Sequence, residues 1–599
     1  MAMVKSAVLC LLIALTTSAA SPKTGWRSPA RDRTAAPAVP GLAAARRLSL
    51  HDRVAQMIVV RGYGDYLDSS SPEYKTLMHW VRDLHVGGMI VANRVRGGQV
   101  INAQPYEMAA FTNHLQKAAK TPLFIASDFE HGASMRVAES AKYPYFMAFG
   151  AAHDLDAVKQ FGAATAREAR SVGVTWVFAP DADVNNNPDN PIINTRSFGE
   201  DPEEVAKGVA AFIDGAHSDA KNYVLVTAKH FPGHGDTGQD SHMQMVRLDQ
   251  SKDRVESLEL VPFRAAIQHH VDAVMTAHMA IPAFEPEPIP ATVSKNILTK
   301  LLRDELKFRG ITVTDAMDMQ GVTSLFSQSE AAARAVEAGA DVILMPLDPE
   351  ACIRGVLAAV KSGRIPQRRI DESVAKLLAA KQRVGLNLNR FVNLDRIAEG
   401  LKDPALDRLA QRVADEATTL VKDDKHMFPV ADPSTSCLAI LTEGRFSSRG
   451  QALLSALSRG APKMATFLAN PAMPEPELAA ISSAMKDCKQ IYVAAFITVA
   501  AYRGSVGLEG GLSGFMNSLI QTSPVVALIS LGNPYLFRNF PGVSAYVATF
   551  SPSRTSEIAA AKAMLGEIRI QGRLPISIPG LAARGDGIQV TNLITRASQ

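Results

Sequence analysis

Short apolar runs alternate with longer amphipathic segments from about residue 46 to residue 390. Runs such as VAQMIVV, PLFIAS, YVLVTA and GITVT have the length of buried strands, and 202–218 and 329–339 repeat apolar residues with helical period. Eight such strand-then-helix units follow one another in this region. That succession is typical of a parallel barrel, so we predict an α/β fold with a TIM (β/α)₈ barrel over 46–390.

A second series of apolar runs follows a polar, helix-like connector at 391–424. The runs CLAILTEG, QIYVAAFI, PVVALISLG and AYVATFS are separated by helical stretches. This pattern predicts a smaller C-terminal α/β sandwich domain over 425–590. Few ionisable residues follow these runs, so we expect the second domain to support the barrel rather than to carry a second catalytic site.

The first 20 residues have the pattern of a secretory signal peptide. Lys5 precedes an apolar run at 7–15, and small residues follow at 18–20. The segment 21–45 is rich in Pro, Ala and Arg, which predicts a flexible spacer. We therefore expect an exported protein, periplasmic or secreted, with no stable membrane insertion once the signal is removed, because no other segment is apolar enough to span a bilayer.

Composition limits the partners of the chain. Its 599 residues are 47% hydrophobic and 20% charged, with a formal net charge of +4. No dense block of Lys and Arg occurs, so a nucleic acid is not an expected partner. Beyond the signal, Cys352, Cys437 and Cys488 have no zinc-ligand spacing, and Cys437 and Cys488 either pair or remain free thiols.

Polar side chains follow nearly every predicted barrel strand. The carboxyl ends of the strands build the active site in barrels of this kind, so this series predicts one catalytic site there. The residues are Arg61, Asn93, Asp128, Asp181 with Asp183, Lys229 with His230, His278, Asp315 and Met345.

The stretch KHFPGHGDTGQDSH, residues 229–242, concentrates the most chemistry. Its glycines match G-x-G-x-x-G, but Asp236 would repel a phosphate and no helix obviously starts at Gly238, which disfavours nucleotide binding. Six residues are plausible N or O ligands of a metal site, but no compact ligand spacing occurs. They are His230, His234, Asp236, Asp240, His242 and His278.

Acid/base catalysis without metal or cofactor is the interpretation that we favour for this stretch. Asp240 stands two residues before His242, so its carboxylate can fix the imidazole tautomer while the second ring nitrogen exchanges a proton. The flanking glycines predict a loop that moves over bound substrate.

Asp315, at the end of the seventh strand, is the candidate nucleophile. A carboxylate can attack an anomeric carbon and form a glycosyl-enzyme that water then hydrolyses. Lys229 is expected to keep Asp315 ionised, since a nearby cation lowers a carboxyl pKa. Asp318, three residues later, is expected to cap the following helix.

Four motifs in order along the chain resemble the two-domain β-N-acetylhexosaminidases of glycoside hydrolase family 3. They are SDFEHGASMR, NTRSFGEDP, KHFPGHGDTGQDSH and TDAMDM, within a likeness that spans about 50–590. Two departures from the family pattern are DFEHGAS, where the family usually has D-x-E-G-G-R-V, and MQMVRLD, which lacks the usual Leu-Pro.

The resemblance implies roles for individual residues. Asp315 corresponds to the nucleophile, and His242 with Asp240 corresponds to the acid/base dyad. The residues that correspond to sugar-hydroxyl ligands are Asp128, Arg136, Arg196, Lys229 and His230.

The implied activity is retaining hydrolysis of terminal β-linked N-acetylglucosamine from peptidoglycan fragments or chitooligosaccharides. Phosphorolysis by the same residues, a metal-dependent barrel hydrolase and a non-catalytic glycan-binding protein remain alternatives. The oligomeric state is left open.

Overall fold

The computed structural model describes residues 41–97, 99–500, 502–523 and 525–591. The predicted signal peptide and most of the predicted spacer lie outside these residues and stay predictions. The last residues assigned to the spacer differ, because Gly41 caps a short helix at Leu42–Arg46. Arg46 Nε lies 3.2 Å from Asp371 Oδ2, which ties this helix to the barrel. No described helix combines the length and the apolar character needed to cross a membrane.

Eight parallel strands form the first sheet, which confirms the predicted barrel. The strands lie side by side in the order β7-β6-β5-β4-β3-β2-β1-β8, and a bridge between Val313 and Val342 joins the two ends. The strands are β1 (Ile58–Gly62), β2 (Gly88–Val91), β3 (Phe124–Ser127), β4 (Trp176–Val177), β5 (Leu225–Phe231), β6 (Ala273–Thr276), β7 (Ile311–Val313) and β8 (Ile343–Leu344).

Helices surround this sheet, and their starts follow ordinary capping chemistry. Asp201 accepts hydrogen bonds from two backbone amides of the helix Pro202–Ala216, and Pro202 occupies its first turn. Both helical segments predicted at 202–218 and 329–339 are confirmed, as α7 and α11. The α-helices up to the second domain are α1 (Leu42–Arg46), α2 (Leu50–Gln56), α3 (Pro72–Met78), α4 (Pro105–Ala118), α5 (Phe146–Ala152), α6 (Leu155–Ser171), α7 (Pro202–Ala216), α8 (Lys252–Ser257), α9 (Val261–Gln268), α10 (Gln320–Thr323), α11 (Gln328–Ala338), α12 (Pro349–Lys361), α13 (Gln367–Arg383), α14 (Ile397–Leu401) and α15 (Pro404–Ala417).

A second, six-stranded sheet forms the C-terminal α/β domain. Its order is β9-β14-β13-β12-β10-β11, and only β9 runs antiparallel to its neighbour. The strands are β9 (Thr419–Asp423), β10 (Ser436–Leu441), β11 (Ala465–Ala469), β12 (Gln490–Ile497), β13 (Val526–Gly532) and β14 (Ala545–Ala548). The helices are α16 (Gln451–Gly460), α17 (Glu475–Ala484), α18 (Leu512–Thr522) and α19 (Arg554–Leu565).

The stretch 391–424 is more ordered than the predicted linker. It contains α14, α15 and β9, so the second sheet already begins at Thr419, before the boundary expected at 425. The predicted runs do not include β11, an edge strand that is mostly exposed. Cys437 on β10 pairs with Cys488 in a disulfide, with a Cα–Cα distance of 5.9 Å, which resolves the alternative left open by the sequence.

The two sheets share buried apolar surface. Met147, Ala148 and Ala151 of α5 pack in the same core cluster as the second sheet. Glu200, next to α7, accepts hydrogen bonds from the backbone amide and the hydroxyl of Ser577 at 2.7 and 2.6 Å. This interface fixes the loops of the second domain over the mouth of the barrel.

Candidate active site

A cleft of about 1190 Å³ opens at the carboxyl ends of the barrel strands. One wall comes from the barrel and the other from segments of the second domain, among them 498–500, Tyr502 and 552–554. Asp240, Asp181, Asp183 and His278 lie buried close to it. The predicted residues that line it directly are Arg61, Asn93, Asp128, Arg136, Arg196, Lys229, His230, His242, Asp315 and Met345.

Asp240 and His242 form a hydrogen-bonded pair on the loop after β5. His242 Nδ1 lies 2.7 Å from Asp240 Oδ1, and the backbone amide of His242 donates to the same oxygen at 2.9 Å. The Asp240 side chain is 1% exposed, whereas that of His242 is 22% exposed and faces the cleft. Asp240 therefore holds Nδ1 and leaves Nε2 to exchange a proton with substrate.

The second domain holds this pair from the other side. The backbone amide of Tyr502 donates to Asp240 Oδ2 at 2.8 Å, and the rings of His242 and Tyr502 meet edge to face at 5.1 Å. These bonds lower the pKa of Asp240 against the opposing effect of burial, so the carboxylate stays ionised. Sequence reasoning missed Tyr502, because 262 positions separate it from Asp240.

His234 supports the loop rather than a ligand. Its Nε2 lies 2.9 Å from Ser241 Oγ and its Nδ1 lies 2.9 Å from Thr237 Oγ1, so both ring nitrogens are occupied. Burial lowers its pKa to about 4 and keeps the ring neutral. His278 is similarly engaged, by Thr292 Oγ1 at 2.7 Å and by the carbonyl of Ala316 at 2.9 Å.

Two glycines of the loop serve close packing, which corrects the expectation that they provide mobility. A Cβ on Gly235 would stand 1.7 Å from the carbonyl oxygen of Val184. Gly233 has a φ of +130°, and a Cβ there would meet Glu259 Cβ at 2.6 Å. Only Gly238 has open space around it. Because these glycines have no side chain, the loop can pack closely against its neighbours, and this packing positions the dyad.

Asp315 follows β7 and points into the cleft. Burial alone would raise its pKa, but His230, His278 and His242 lower it, and the net pKa lies below the ordinary value. The backbone amide of Ala316 also donates to Asp315 Oδ1 at 2.7 Å. The carboxylate is therefore ionised and available as a nucleophile or base.

The histidines, not Lys229, hold Asp315 ionised, which corrects the role expected for that lysine. Lys229 Nζ lies 2.6 Å from Glu130 Oε1 and 3.0 Å from Asp128 Oδ1. Asp318 does not cap a helix as expected. Its carboxylate pairs with Arg61 across the cleft, and Met319 occupies the N-cap position of α10.

A network of ion pairs forms the floor of the cleft. Glu130 accepts from Arg196 Nε and Nη2 at 2.8 and 2.9 Å, and Arg136 Nη2 lies 2.8 Å from Asp128 Oδ2. Together with Lys229, these paired side chains fix one another's positions and present hydrogen-bond donors and acceptors to the cleft. Such an array suits vicinal hydroxyl groups, because charged groups make the stronger hydrogen bonds.

Glu130 is a site residue that the sequence analysis did not single out. It lies in the quoted motif SDFEHGASMR, and Lys229 and Arg196 lower its pKa well below the usual value despite burial. Next to it, His131 stacks on Tyr145 with ring centroids 4.8 Å apart. Burial lowers the pKa of His131 to about 4, so this ring is neutral.

Asp181, Asp183 and His230 are the one group of described residues whose donor atoms lie close enough together to hold a metal ion. Asp183 Oδ2 already lies 2.8 Å from His230 Nδ1, and Arg196 Nε lies 3.1 Å from Asp181 Oδ2. The guanidinium therefore occupies one approach to this group. His230 Nε2 lies 3.5 Å from Arg196 Nη2, and both side chains line the cleft, which suits a sugar ligand.

Comparison with known proteins agrees with this geometry. The model of the glycosyl hydrolase family 3 N-terminal domain matches residues 49–380. A β-N-acetylglucosaminidase/β-glucosidase of Cellulomonas fimi is 32% identical over 371 residues, which cover 60% of this chain and 63% of that protein. β-Hexosaminidase A of Pseudoalteromonas piscicida is 33% identical over 363 residues, which cover 55% of this chain and 60% of that protein.

A solved structure extends the likeness to both domains. The glycoside hydrolase family 3 β-N-acetylglucosaminidase from Paenibacillus sp. str. FPU-7 superposes with a TM-score of 0.76 and 30% identity. The superposition covers 89% of this chain and 99% of that one. The curated relatives are matched over only about three fifths of their length. The family match covers more than half of the chain, and the protein belongs to glycosyl hydrolase family 3.

Proposed function

We propose that the protein is an exported, retaining β-N-acetylglucosaminidase that hydrolyses terminal β-linked N-acetylglucosamine from peptidoglycan fragments or chitooligosaccharides. The observation that carries the proposal is an ionised Asp315 in the same cleft as the Asp240–His242 pair. The names of the relatives from Cellulomonas fimi and Pseudoalteromonas piscicida support the activity. Export rests on the predicted signal peptide alone.

In the first step Asp315 attacks the anomeric carbon while His242 protonates the glycosidic oxygen. The bond from Asp315 Oδ to C1 forms, the C1–O bond breaks, and the leaving sugar departs with the proton from Nε2. Asp240 stabilises the imidazolium before transfer because its carboxylate lies on Nδ1. Asp128, Arg136, Arg196, Lys229 and His230 are proposed to bind the hydroxyls of the sugar.

In the second step water replaces the enzyme at the anomeric carbon. The neutral His242 accepts a proton from water as its oxygen attacks C1, and the ester bond to Asp315 breaks. The product retains the β configuration after two inversions. His242 is then protonated and Asp315 ionised, as at the start.

The test is turnover of a chromogenic β-N-acetylglucosaminide by the full chain in the presence of a chelator, followed by NMR of the first-formed sugar. We expect activity that survives the chelator and a β-anomer product that mutarotates later. An α-anomer as first product would contradict a glycosyl-enzyme. Loss of activity with the chelator would favour the metal-dependent alternative.

The acceptor is tested in the same assay with inorganic phosphate added. Hydrolysis predicts no change in rate and free N-acetylglucosamine as the product. A faster reaction that yields the sugar phosphate would replace hydrolysis by phosphorolysis. Absence of turnover on every β-N-acetylglucosaminide would leave the glycan-binding alternative.

A further inference from the structure

Three basic side chains on the wall of the cleft have no carboxylate partner among the described residues. Lys142 comes from the barrel, whereas Arg449 and Arg554 come from the second domain. By contrast, Arg61, Arg136 and the other cleft cations each form an ion pair with a cleft or neighbouring carboxylate. These three, which we call the basic wall, are unused by the mechanism above.

Two members of the basic wall are hydrogen-bonded to the segment 552–555, at the start of α19. Arg449 Nη1 donates to the carbonyl of Pro552, and Thr555 Oγ1 donates to the carbonyl of Lys142 at 2.8 Å. Arg554, the first residue of α19, lies between Pro552 and Thr555 in sequence. Arg449 and Lys142 line the same cleft as the His131–Tyr145 stack.

Three acidic groups near the basic wall have other partners or carry no charge. Glu557 accepts from the backbone amides of Ala452 and Leu453 at 2.9 and 3.1 Å. Glu168, the main acidic influence on Lys142, is buried with its pKa raised to about 8, so it is uncharged at neutral pH. Glu139 is paired with Lys402 at 3.0 Å. None of these three carboxyl groups pairs with a member of the basic wall.

The topology of the second sheet places part of this wall at a crevice. The chain passes from β10 to β11 on one side and then crosses back to β12 on the other side of β10. Ligands of open α/β sheets bind in the crevice at such a switch point, outside the carboxyl ends of the strands. The loops after β10 and β12 carry Arg449 and Tyr502 into the cleft.

The basic wall is separate from the reacting groups. The side-chain bonds of Asp315 and His242 go to Ala316 and Asp240, whereas Arg449 binds the carbonyl of Pro552. The cleft volume of about 1190 Å³ exceeds the ~1,000 Å³ of a large pocket for a small ligand, which leaves room beside one sugar ring.

We infer that Lys142, Arg449 and Arg554 bind an anionic substituent of the substrate, so that the enzyme is selective for acidic glycans. The inference rests on the proposed function, because it concerns the same cleft. A carboxylate, phosphate or sulfate group on the saccharide has the chemistry that an Arg and Lys cluster recognises. The anion stands either on the terminal sugar or on the sugar that leaves.

The test uses two pairs of substrates that differ in one anionic group. N-acetylglucosamine β-linked to N-acetylmuramic acid is compared with neutral diacetylchitobiose, and a chromogenic N-acetylglucosaminide 6-sulfate is compared with its unsulfated form. The first pair places the anion on the leaving sugar and the second on the terminal sugar. Arg449→Gln and Lys142→Met are the variants, and Arg459→Gln on the exposed side of α16 is the matched control.

We expect wild type to prefer the anionic member of one pair. Arg449→Gln and Lys142→Met should each raise KM for that substrate about tenfold, because a charge-assisted bond is lost, and leave its neutral twin within about twofold. Arg459→Gln should change neither. Equal effects on both members of each pair, or no preference in wild type, would overturn the inference.

Failure of the proposed function is distinguished by binding. If no substrate is turned over, the proposed function fails, and calorimetry of wild type and Arg449→Gln with the muramic acid disaccharide and with diacetylchitobiose decides the inference. Tighter binding of the acidic disaccharide that Arg449→Gln removes would support it. Equal affinity for both would overturn it.

Discussion

At the scale of single residues, the hydrogen bond from His242 Nδ1 to Asp240 determines which ring nitrogen faces the substrate. Since Nδ1 lies 2.7 Å from the buried carboxylate, only Nε2 remains for proton exchange. A leaving sugar depends on this proton, whereas an activated aryl group departs without one.

His242→Ala should therefore separate substrates by their leaving group. We expect kcat/KM for diacetylchitobiose to fall by about 10²- to 10⁴-fold, and kcat/KM for a dinitrophenyl glycoside to fall far less. Steady-state kinetics with both substrates measure the difference. His269→Ala, which removes a surface imidazole paired with Asp214, is the control and should change neither. An equal loss on both substrates would refute the acid/base role.

Glu168 is hydrogen-bonded to the backbone of the altered EHGAS segment and of the residues that follow it. Its carboxyl oxygens accept from the backbone amides of Ala133 and Ala141 at 3.3 and 3.2 Å. Complete burial raises its pKa from 4.5 to about 8. The folded protein then holds a proton that the unfolded chain has released.

The free energy of unfolding should fall as pH rises between 4.5 and about 8, because the folded state binds more protons there. One such group contributes a slope of up to about 1.4 kcal/mol per pH unit. Glu168→Gln does not titrate, so its stability should change less steeply over this range. Urea unfolding of both proteins at a series of pH values measures the slopes, and identical slopes would contradict the assignment.

The sequence could predict residues whose partners are near in the chain or at strand ends. Asp240 and His242 are two positions apart, and Asp315 directly follows a recognisable strand. Pairings across the fold could not be predicted, since they depend on side-chain direction. The sequence therefore predicted that Lys229 pairs with Asp315, whereas Lys229 contacts Glu130 and Asp128.

At the scale of elements, the loop after β12 links the second domain to the catalytic pair. Glu443 accepts from the amide of Thr498 at 2.7 Å and also binds Arg503, so it holds this loop at both ends. The amide of Tyr502, between them, reaches Asp240. This loop positions the dyad through the amide of Tyr502 and the contact of its ring with His242.

Glu443→Ala should release the loop and lower kcat about 10- to 100-fold, because a small displacement of catalytic groups slows the reaction strongly. KM should change less, because the sugar ligands belong to the barrel. Glu509→Ala is the matched control, since Glu509 binds the same Arg503 at 2.8 Å from a more exposed position. Steady-state kinetics of both variants test the claim, and equal behaviour would contradict it.

The elements themselves were largely predictable because buried parallel strands give apolar runs. All eight barrel strands coincide with or overlap predicted runs. The exceptions are instructive. β9 ends in Lys422 and Asp423 and so lacks the pattern of a buried strand, and β11 is a mostly exposed edge strand that the predicted runs do not include.

At the scale of the whole molecule, the barrel and the second sheet share one apolar interface. The core cluster of the second sheet includes α5 of the barrel, and a Cβ on Gly199 would stand 2.6 Å from the carbonyl of Pro575. Such close packing opposes independent motion, since domains move when their interface is small or polar. The second domain does more than support the barrel, because it supplies one wall of the cleft.

We expect the two domains to unfold together. Calorimetry of the full chain should show one cooperative transition that coincides with loss of activity. Gly199→Val should lower the transition temperature of the whole protein, because the added side chain separates the two surfaces. Gly363→Val, where a Cβ meets open space at a φ of +79°, controls for the strain of a branched residue at a positive φ. Two separate transitions would show that the domains are independent.

The central claim is that Asp315 forms the glycosyl-enzyme, and covalent trapping tests it most directly. A fluorinated N-acetylglucosaminyl fluoride is incubated with wild type and with Asp315→Asn, and the labelled peptide is fragmented to separate Asp315 from Asp318. The account predicts one sugar on Asp315 of wild type and none on the variant. A label on Asp318, or turnover by Asp315→Asn at the wild-type rate, would contradict it.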